Sequence, residues 1–279
     1  NRGIEFTLGW HDHIGDFYYN VSANLSTLRN KVLKMGNAYV QEGYTRTEVG
    51  RSISDFYLLK TAGIFQSMDE VYDYTTTLKD GTVKVIQPNA QPGDIRYVDV
   101  NGDGQIDDTD KDWCGSPLPK FELGFNVSLA WKNFDFNMFW AGKFGNKIYN
   151  QVRANTLNFS VDNIPADVRP WTWDNPSNEY PRMYANSTDN NKASDRFLES
   201  GTYFRLKNIQ LGYTLPQSIA KILHLQKLRA YVSGTNLVTF TGYKGYDPDI
   251  ICTYVYAQGI DSGQYPSSRQ LNFGLQVTF

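Results

Sequence analysis

The sequence predicts an all-β chain whose long antiparallel strands form part of a transmembrane β-barrel with long loops on its outer side. Three observations carry that prediction. Apolar and polar residues alternate with a period of two in several segments, so each strand has two unlike faces. These segments run to about ten residues, matching the ~9–11 that cross a bilayer at a tilt rather than the ~5–6 of soluble strands. Long and short connections also take turns along the chain, as in a membrane barrel.

Taken in order, Ile4, Phe6, Leu8 and Trp10 share one face of the first strand, against Glu5, Thr7 and Gly9. HDHIGD (His11–Asp16) reads as a polar turn. Phe17, Tyr19, Val21, Ala23 and Leu25 then alternate with Tyr18, Asn20, Ser22, Asn24 and Ser26. Arg29–Lys60 carries weak strand signals and is not assigned. The pattern returns at Leu123, Phe125, Val127, Leu129 and Trp131. A tight Lys132-Asn133 turn leads into Phe134, Phe136, Met138 and Trp140. Tyr203–Tyr213 reads as a strand whose apolar phase switches near Lys207, which predicts a β-bulge. Leu228–Phe240 is a further strand. The last is the cleanest: Leu271, Phe273, Leu275, Val277 and Phe279 against Asn272, Gly274, Gln276 and Thr278. Long loops are expected at about 61–121, 141–202 and 241–268, with a shorter connection near 214–227 that holds about one helical turn.

Composition narrows the function. Of 279 residues, 27 are basic and 29 acidic, and they are interspersed, which argues against a nucleic-acid partner. No apolar run approaches the ~18 residues of a membrane helix. The mean hydropathy of -0.48 suits a soluble protein, but alternation lowers the average of a membrane barrel too. Aromatics make up 15% of the chain, which suits barrel girdles and carbohydrate-binding sandwiches alike. The chain begins at Asn1 without a signal-peptide pattern and is expected to be a fragment of a longer precursor. Cys114 and Cys252 are open to pairing in an oxidising compartment and lack metal-site spacing.

The sharpest local signal is DVNGDGQIDDTD, Asp99–Asp110. Side-chain oxygens fall at loop positions one, three and five: Asp99, Asn101 and Asp103. Gly104 permits the turn, Gln105 offers its carbonyl, and Asp107 and Asp110 complete the set. Ile106 is placed to anchor the loop on an apolar surface. This is the order of donors that a structural Ca²⁺ requires. Asp110 replaces the usual bidentate Glu, and the flanking DIRYV and KDWCG do not read as helices. The alternative is an Asx-turn loop whose carboxylates cap backbone N–H groups.

Other candidates are weaker. His11 and His13 form an HxH pair without a third ligand. His224 reads as a surface residue. No hydrolase signature is present, no spacing singles out a glycosidase carboxylate pair, and no catalytic or cofactor-binding residue is predicted. Trp113, Trp171 and Trp173 could stack on sugars or pack the loops.

Several stretches together resemble one family. PGDIRYVDVNGDGQIDDTD (Pro92–Asp110), YFRLKNIQLGYTLP (Tyr203–Pro216), LRAYVSGTNLVTFTGYKGYDPDI (Leu228–Ile250) and YPSSRQLNFGLQVTF (Tyr265–Phe279) are similar to the SusC/RagA family of TonB-dependent outer-membrane transporters. NRGIEF and GIFQSMDEV (Gly63–Val71) are similar too. The resemblance implies the C-terminal part of a 22-stranded barrel in the cell outer membrane, with lipid around it and with the N-terminal plug outside this sequence. It also implies a SusD-like surface lipoprotein as partner, energy from TonB through the missing region, and an oligosaccharide, or sometimes a peptide, as cargo. The rival readings are a secreted calcium-stabilised carbohydrate-binding β-sandwich and, behind it, a surface glycoside hydrolase. The environment of Leu271, Phe273, Leu275, Val277 and Phe279 separates them: lipid-facing in the transporter, a dry core in the sandwich.

Overall fold

The computed structural model describes residues 1–157, 164–184, 189–252 and 254–279. Seven long strands build one antiparallel sheet: β1 (Arg2–Ile14), β2 (Phe17–Arg29), β3 (Phe121–Trp131), β4 (Phe134–Phe144), β5 (Tyr203–Thr214), β6 (Lys227–Thr235) and β7 (Gln270–Thr278). They pair strictly in chain order. A short eighth strand, Thr239–Thr241, folds back onto β5.

The connections alternate without exception. Gly15-Asp16 and Lys132-Asn133 are two-residue turns, and 215–226 is a short link holding a one-and-a-half-turn helix, Gln217–Ile222. Each tight turn places its first residue in the left-handed region, Gly15 at φ +59° and Lys132 at φ +52°, as the twist of a two-residue hairpin demands. The connections 30–120, 145–202 and 236–269 are long and share the opposite end. The unassigned Arg29–Lys60 stretch belongs to the first of them. There Tyr39–Glu42, Thr45–Glu48 and Asp55–Leu59 form a small sheet with Lys111–Gly115. Parts of the second and third long connections lie outside the described residues.

Register fixes which side chains share a face. Val21 pairs with Trp10 and Val127, and Val127 with Met138. Met138 pairs with Ile209, while Leu211 pairs with Val232, which faces Phe273. The apolar positions of all seven strands thus form one continuous surface. No described residue of the chain covers it. Phe6 is 58% exposed, Leu275 73% and Phe273 84%. A sandwich would bury these side chains in its core, so that reading fails on the residues chosen to test it.

The bare face is also banded. At the short-turn end lie Phe17, Trp131, Phe134 and Tyr213, with Phe134 and Tyr213 ring centroids 4.7 Å apart. At the long-loop end lie Phe121 and Phe144, stacked at 4.7 Å, and Trp140 with Phe204 at 5.1 Å. Aliphatic residues such as Leu123, Val127 and Leu129 occupy the space between. Phe121 and Trp131 stand at opposite ends of β3. That length is roughly 33 Å along a strand rising ~3.3 Å per residue, or about 25 Å along the normal at a ~40° tilt. Two aromatic girdles around an apolar band of that height are the outer surface of a membrane barrel.

Two sequence expectations are corrected, and the open question of cysteine pairing is answered. β1 continues through His11, Asp12 and His13, so the turn is only Gly15-Asp16. β6 stops at Thr235, where Asn236 takes φ +55°, and Phe240 belongs to the fold-back strand. Cys114 and Cys252 are both free thiols. Burial pushes the Cys114 thiol up to about 11. The bulge lies where the apolar phase switches: Phe139 pairs with Asn208 and Trp140 with Leu206, leaving Lys207 as the extra residue.

The protein's hydrophobic core lies outside the sheet. Phe56, Leu58, Tyr149, Leu157, Val168, Tyr180 and Phe197 pack together from the first two long connections. A bidentate ion pair of Arg182 with the buried Asp94, at 2.7 and 3.1 Å, ties the same two segments. The third connection joins through Thr45 Oγ1 and Ser54 Oγ, which donate to the Tyr256 and Val255 carbonyls at 2.6 and 2.7 Å.

Candidate functional site

The face opposite the apolar band points to the lumen, and its chemistry is uniform. One row across the sheet reads Ser22, Asn126, Phe139, Asn208, Thr235 and Gln270. The next row reads Asn20, Ser128, Asn137, Gln210, Ser233 and Asn272. With Gly9 and His11 of β1 at the edge of the two rows, these are carboxamides and hydroxyls around a single phenyl ring, a wall that both donates and accepts hydrogen bonds and holds no carboxylate, ammonium or guanidinium. Charges lie toward the ends. Near the short turns Arg229 bridges to Asp135, with Nε donating at 2.9 Å. This pair reaches across β5 over Gly212, where a Cβ would meet Asp135 Oδ1 at 2.5 Å.

At the long-loop end the third connection is strapped to this wall. Arg205 of β5, only 3% exposed, pairs with Asp247. Arg205 Nε also donates to Thr239 Oγ1 at 2.8 Å. The Asp247 carboxylate accepts the backbone N–H groups of Asp249 and Ser267, each at 2.9 Å. Asp249 bridges Lys143 of β4 at 3.0 Å and Lys207 of the bulge at 2.9 Å. Burial alone would raise both carboxyl pKa values. The partner cations and hydrogen bonds win and hold Asp247 below the usual carboxylate range, and Asp249 well below it. Sequence reading missed this cluster as a site. The available signals were the i, i+2 acids in YDPD and two cations, Arg205 and Lys207, interrupting an otherwise neutral strand.

The acidic loop runs from the strand Ile95–Tyr97 to the strand Lys111–Gly115, so helices do not flank it. Gly102 and Gly104 take φ +74° and +72°, which lets the chain wrap on itself. Asp99 accepts from the N–H groups of Gly102 and Gly104 at 2.7 and 2.9 Å. Asn101 accepts from Asp103 N–H, and Asp103 from Gln105 N–H, both at 2.9 Å. Asp110 is fully buried and accepts from Val100 and Asp107 N–H, both at 2.9 Å. The Asp107 side chain accepts from Thr109. Hydrogen bonds from the Thr109 hydroxyl and backbone lower its pKa. Ile106 packs on Leu59, Ile95 and Tyr97. Among the described residues, no three His, Cys, Asp or Glu side chains form a ready metal cluster. The donor set is nonetheless all oxygen, as a hard cation requires.

The remaining candidates resolve into structural roles. His13 stacks on Tyr18 at 5.3 Å in the lumen-facing part of β1 and β2. His224 takes φ +55° after the short helix. Trp171 is buried and donates to Gln66 Oε1 at 2.8 Å, while Trp113 lies beneath Arg51 at 4.7 Å. Trp173 packs edge-on against Trp171 and stays 71% exposed.

No family model matches the sequence. Over its whole length the chain is 30% identical to TonB-dependent receptor P3 of Formosa agariphila, of which it covers 28%. It is 26% identical to TonB-dependent receptor SusC of Bacteroides thetaiotaomicron, covering 26% of that protein. Among solved structures, 99% of the chain superposes on 29% of a chain of the RagAB peptide transporter, with a TM-score of 0.71 and 22% identity. The chain therefore spans less than a third of these relatives' length. The strand order, the banded apolar face and these full-length matches agree: the chain is a portion of a TonB-dependent outer-membrane receptor of the SusC/RagA kind.

Proposed function

We propose that the intact protein imports an oligomeric nutrient, a glycan, across the outer membrane, with a SusD-like surface lipoprotein as lid and energy relayed by TonB. The observation that carries this reading is the amide and hydroxyl wall of the lumen. It can exchange hydrogen bonds with sugar hydroxyls along a path without binding any one group tightly. The long connections form a packed body at one end, a surface on which a lipoprotein partner would rest. A peptide cargo is the second reading, favoured by the likeness to the RagAB peptide transporter. No chemistry on the cargo is proposed. Uptake of oligosaccharides and peptides by cells with and without the full-length gene, and with TonB disabled, tests the proposal. Uptake that persists without TonB rejects the mechanism. Uptake of peptides alone keeps the transporter and overturns the glycan.

We further propose that Asp99, Asn101, Asp103, Asp107, Asp110 and the Gln105 carbonyl hold one structural Ca²⁺. Most of the loop's acceptor oxygens engage a backbone N–H and retain a second lone pair for a cation. The ion would stiffen a loop anchored through Ile106. Metal analysis of protein purified without chelator, beside an Asp99→Ala/Asp103→Ala variant, is the test. Calcium absent from the parent overturns it.

A further inference from the structure

The loop body contains two arginines that no described carboxylate contacts directly, although the charge of Glu179 reaches both. Arg153 follows the cap residue Asn150, which accepts from Arg153 N–H at 2.9 Å. Its guanidinium donates to the neutral Tyr180 hydroxyl and lies 5.7 Å from that ring. Arg196 sits beside Phe197, and its Nη1 and Nη2 atoms are buried without a hydrogen-bond acceptor. Neither arginine takes part in an ion pair among the described residues. Both line one cavity of about 330 Å³, together with Tyr180, Glu179, Glu199 and Lys244.

The two carboxylates of the wall are already engaged. Glu199 accepts from Asn150 Nδ2 at 3.0 Å and from Lys244 N–H at 2.7 Å. Glu179 pairs with Lys244 Nζ at 3.3 Å. Among the described residues of this wall, three cations face two carboxylates. An unpaired guanidinium buried among aromatic rings is costly, and such a group is normally answered by an anion.

We infer that this cavity is a binding site for a single carboxylate group, held against the Arg153 and Arg196 guanidiniums. The planar fork of arginine matches the two oxygens of a carboxylate. That excess of one cation suits a monoanion, while Glu179 and Glu199 disfavour a dianion. Burial pushes the Arg196 pKa down to about 10 against the opposing pull of Glu179, and a bound anion would add to that pull.

The full-length receptor in detergent tests the site by calorimetry and thermal unfolding. The probes are N-acetylglycine and glucuronate, with N-acetylglycinamide as the neutral control and sulfate as a competing anion. Saturable binding of either carboxylate, with none of the neutral control, is expected, and a preference between the two assigns the natural source to peptide or sugar acid. Arg196→Gln should weaken binding roughly tenfold or more and should not lower the unfolding temperature of the ligand-free protein. Absence of carboxylate binding to the parent, or sulfate binding alone, overturns the proposal. So does unchanged affinity in Arg196→Gln, or a ligand-free variant less stable than the parent, since Arg196 would then be a structural residue. If that variant does not fold, Arg153→Gln serves in its place and must lose the same affinity.

Discussion

Leu275 and Gln276 are adjacent on β7 and point to opposite faces of the sheet. Leu275 faces the bilayer opposite Ala230, and Gln276 faces the lumen opposite Arg229. Replacing each with arginine separates the two solvents. Leu275 is 73% exposed, so in water the change would alter little packing and cost within about 0.5 kcal/mol. In a bilayer an arginine near the midplane costs about 2–4 kcal/mol, falling toward ~0–1 at the interface. Leu275 lies one residue to the short-turn side of the middle of β7, and its row runs through Ala230 to the girdle residue Tyr213, which places the expected cost of Leu275→Arg at the low end of that range, about 2 kcal/mol. Gln276→Arg should stay below about 1 kcal/mol, its main cost being proximity to Arg229. Folding of the full-length receptor into liposomes, followed by denaturant titration, measures both. Equal tolerance at the two positions would refute the assignment of the faces.

The strap supplies two more expectations. Asp247→Ala strands the buried Arg205 and should destabilise the 236–269 connection by about 3–5 kcal/mol, read as lost hydrogen-exchange protection there while β1–β3 keep theirs. Asp247 and Asp249 both have depressed pKa values. Their stabilisation is therefore complete above the ordinary aspartate value of about 3.9 and lost as pH falls below it. Release of the connection between pH 7 and 5 would contradict that sign. In the loop core, Phe56 is fully buried, and Phe56→Ala should cost about 3–5 kcal/mol. Proteolysis should then cut the long connections first and leave the strands intact.

The sheet was legible because a strand between lipid and lumen writes its environment into every second residue. Leu123–Trp131 and Leu271–Phe279 need no knowledge of their neighbours to be assigned. The bulge was legible for the same reason, since an extra residue must invert the phase at Lys207. His11–Ile14 was misjudged because the lumen-facing His11 and His13, with the charge of Asp12 between them, make the strand end look like a turn. The 39–59 strands were illegible. They are four or five residues long and alternate little in polarity, and Asp55–Leu59 completes its pairing with a strand distant in sequence, Lys111–Gly115. The Arg205–Asp247 strap was hidden for a related reason, because its halves lie 42 residues apart and only folding brings them together. The acidic loop was the opposite case, a local motif whose turn geometry follows from its own glycines and acids.

A barrel wall has no interior of its own to stabilise what lies above it. One face is given to lipid and the other to a wet lumen, so the long connections must order themselves. Fixing each residue costs about 1–2 kcal/mol of backbone entropy, more than Asx turns and caps return. The connections therefore carry a separate apolar core around Phe56, Tyr149 and Phe197. That core explains their internal order and leaves open what holds the body at a defined height over the wall. Apolar contact would permit sliding. The Arg205–Asp247 pair does not, because its charge-assisted bonds are directional, and the Asp249 bridge to Lys143 and Lys207 adds two further fixed points. A buried ion pair adds little net stability compared with apolar packing, yet is expensive to break by halves. Its value here is positional: the strap sets the register between a self-contained loop body and the lumenal wall beneath it.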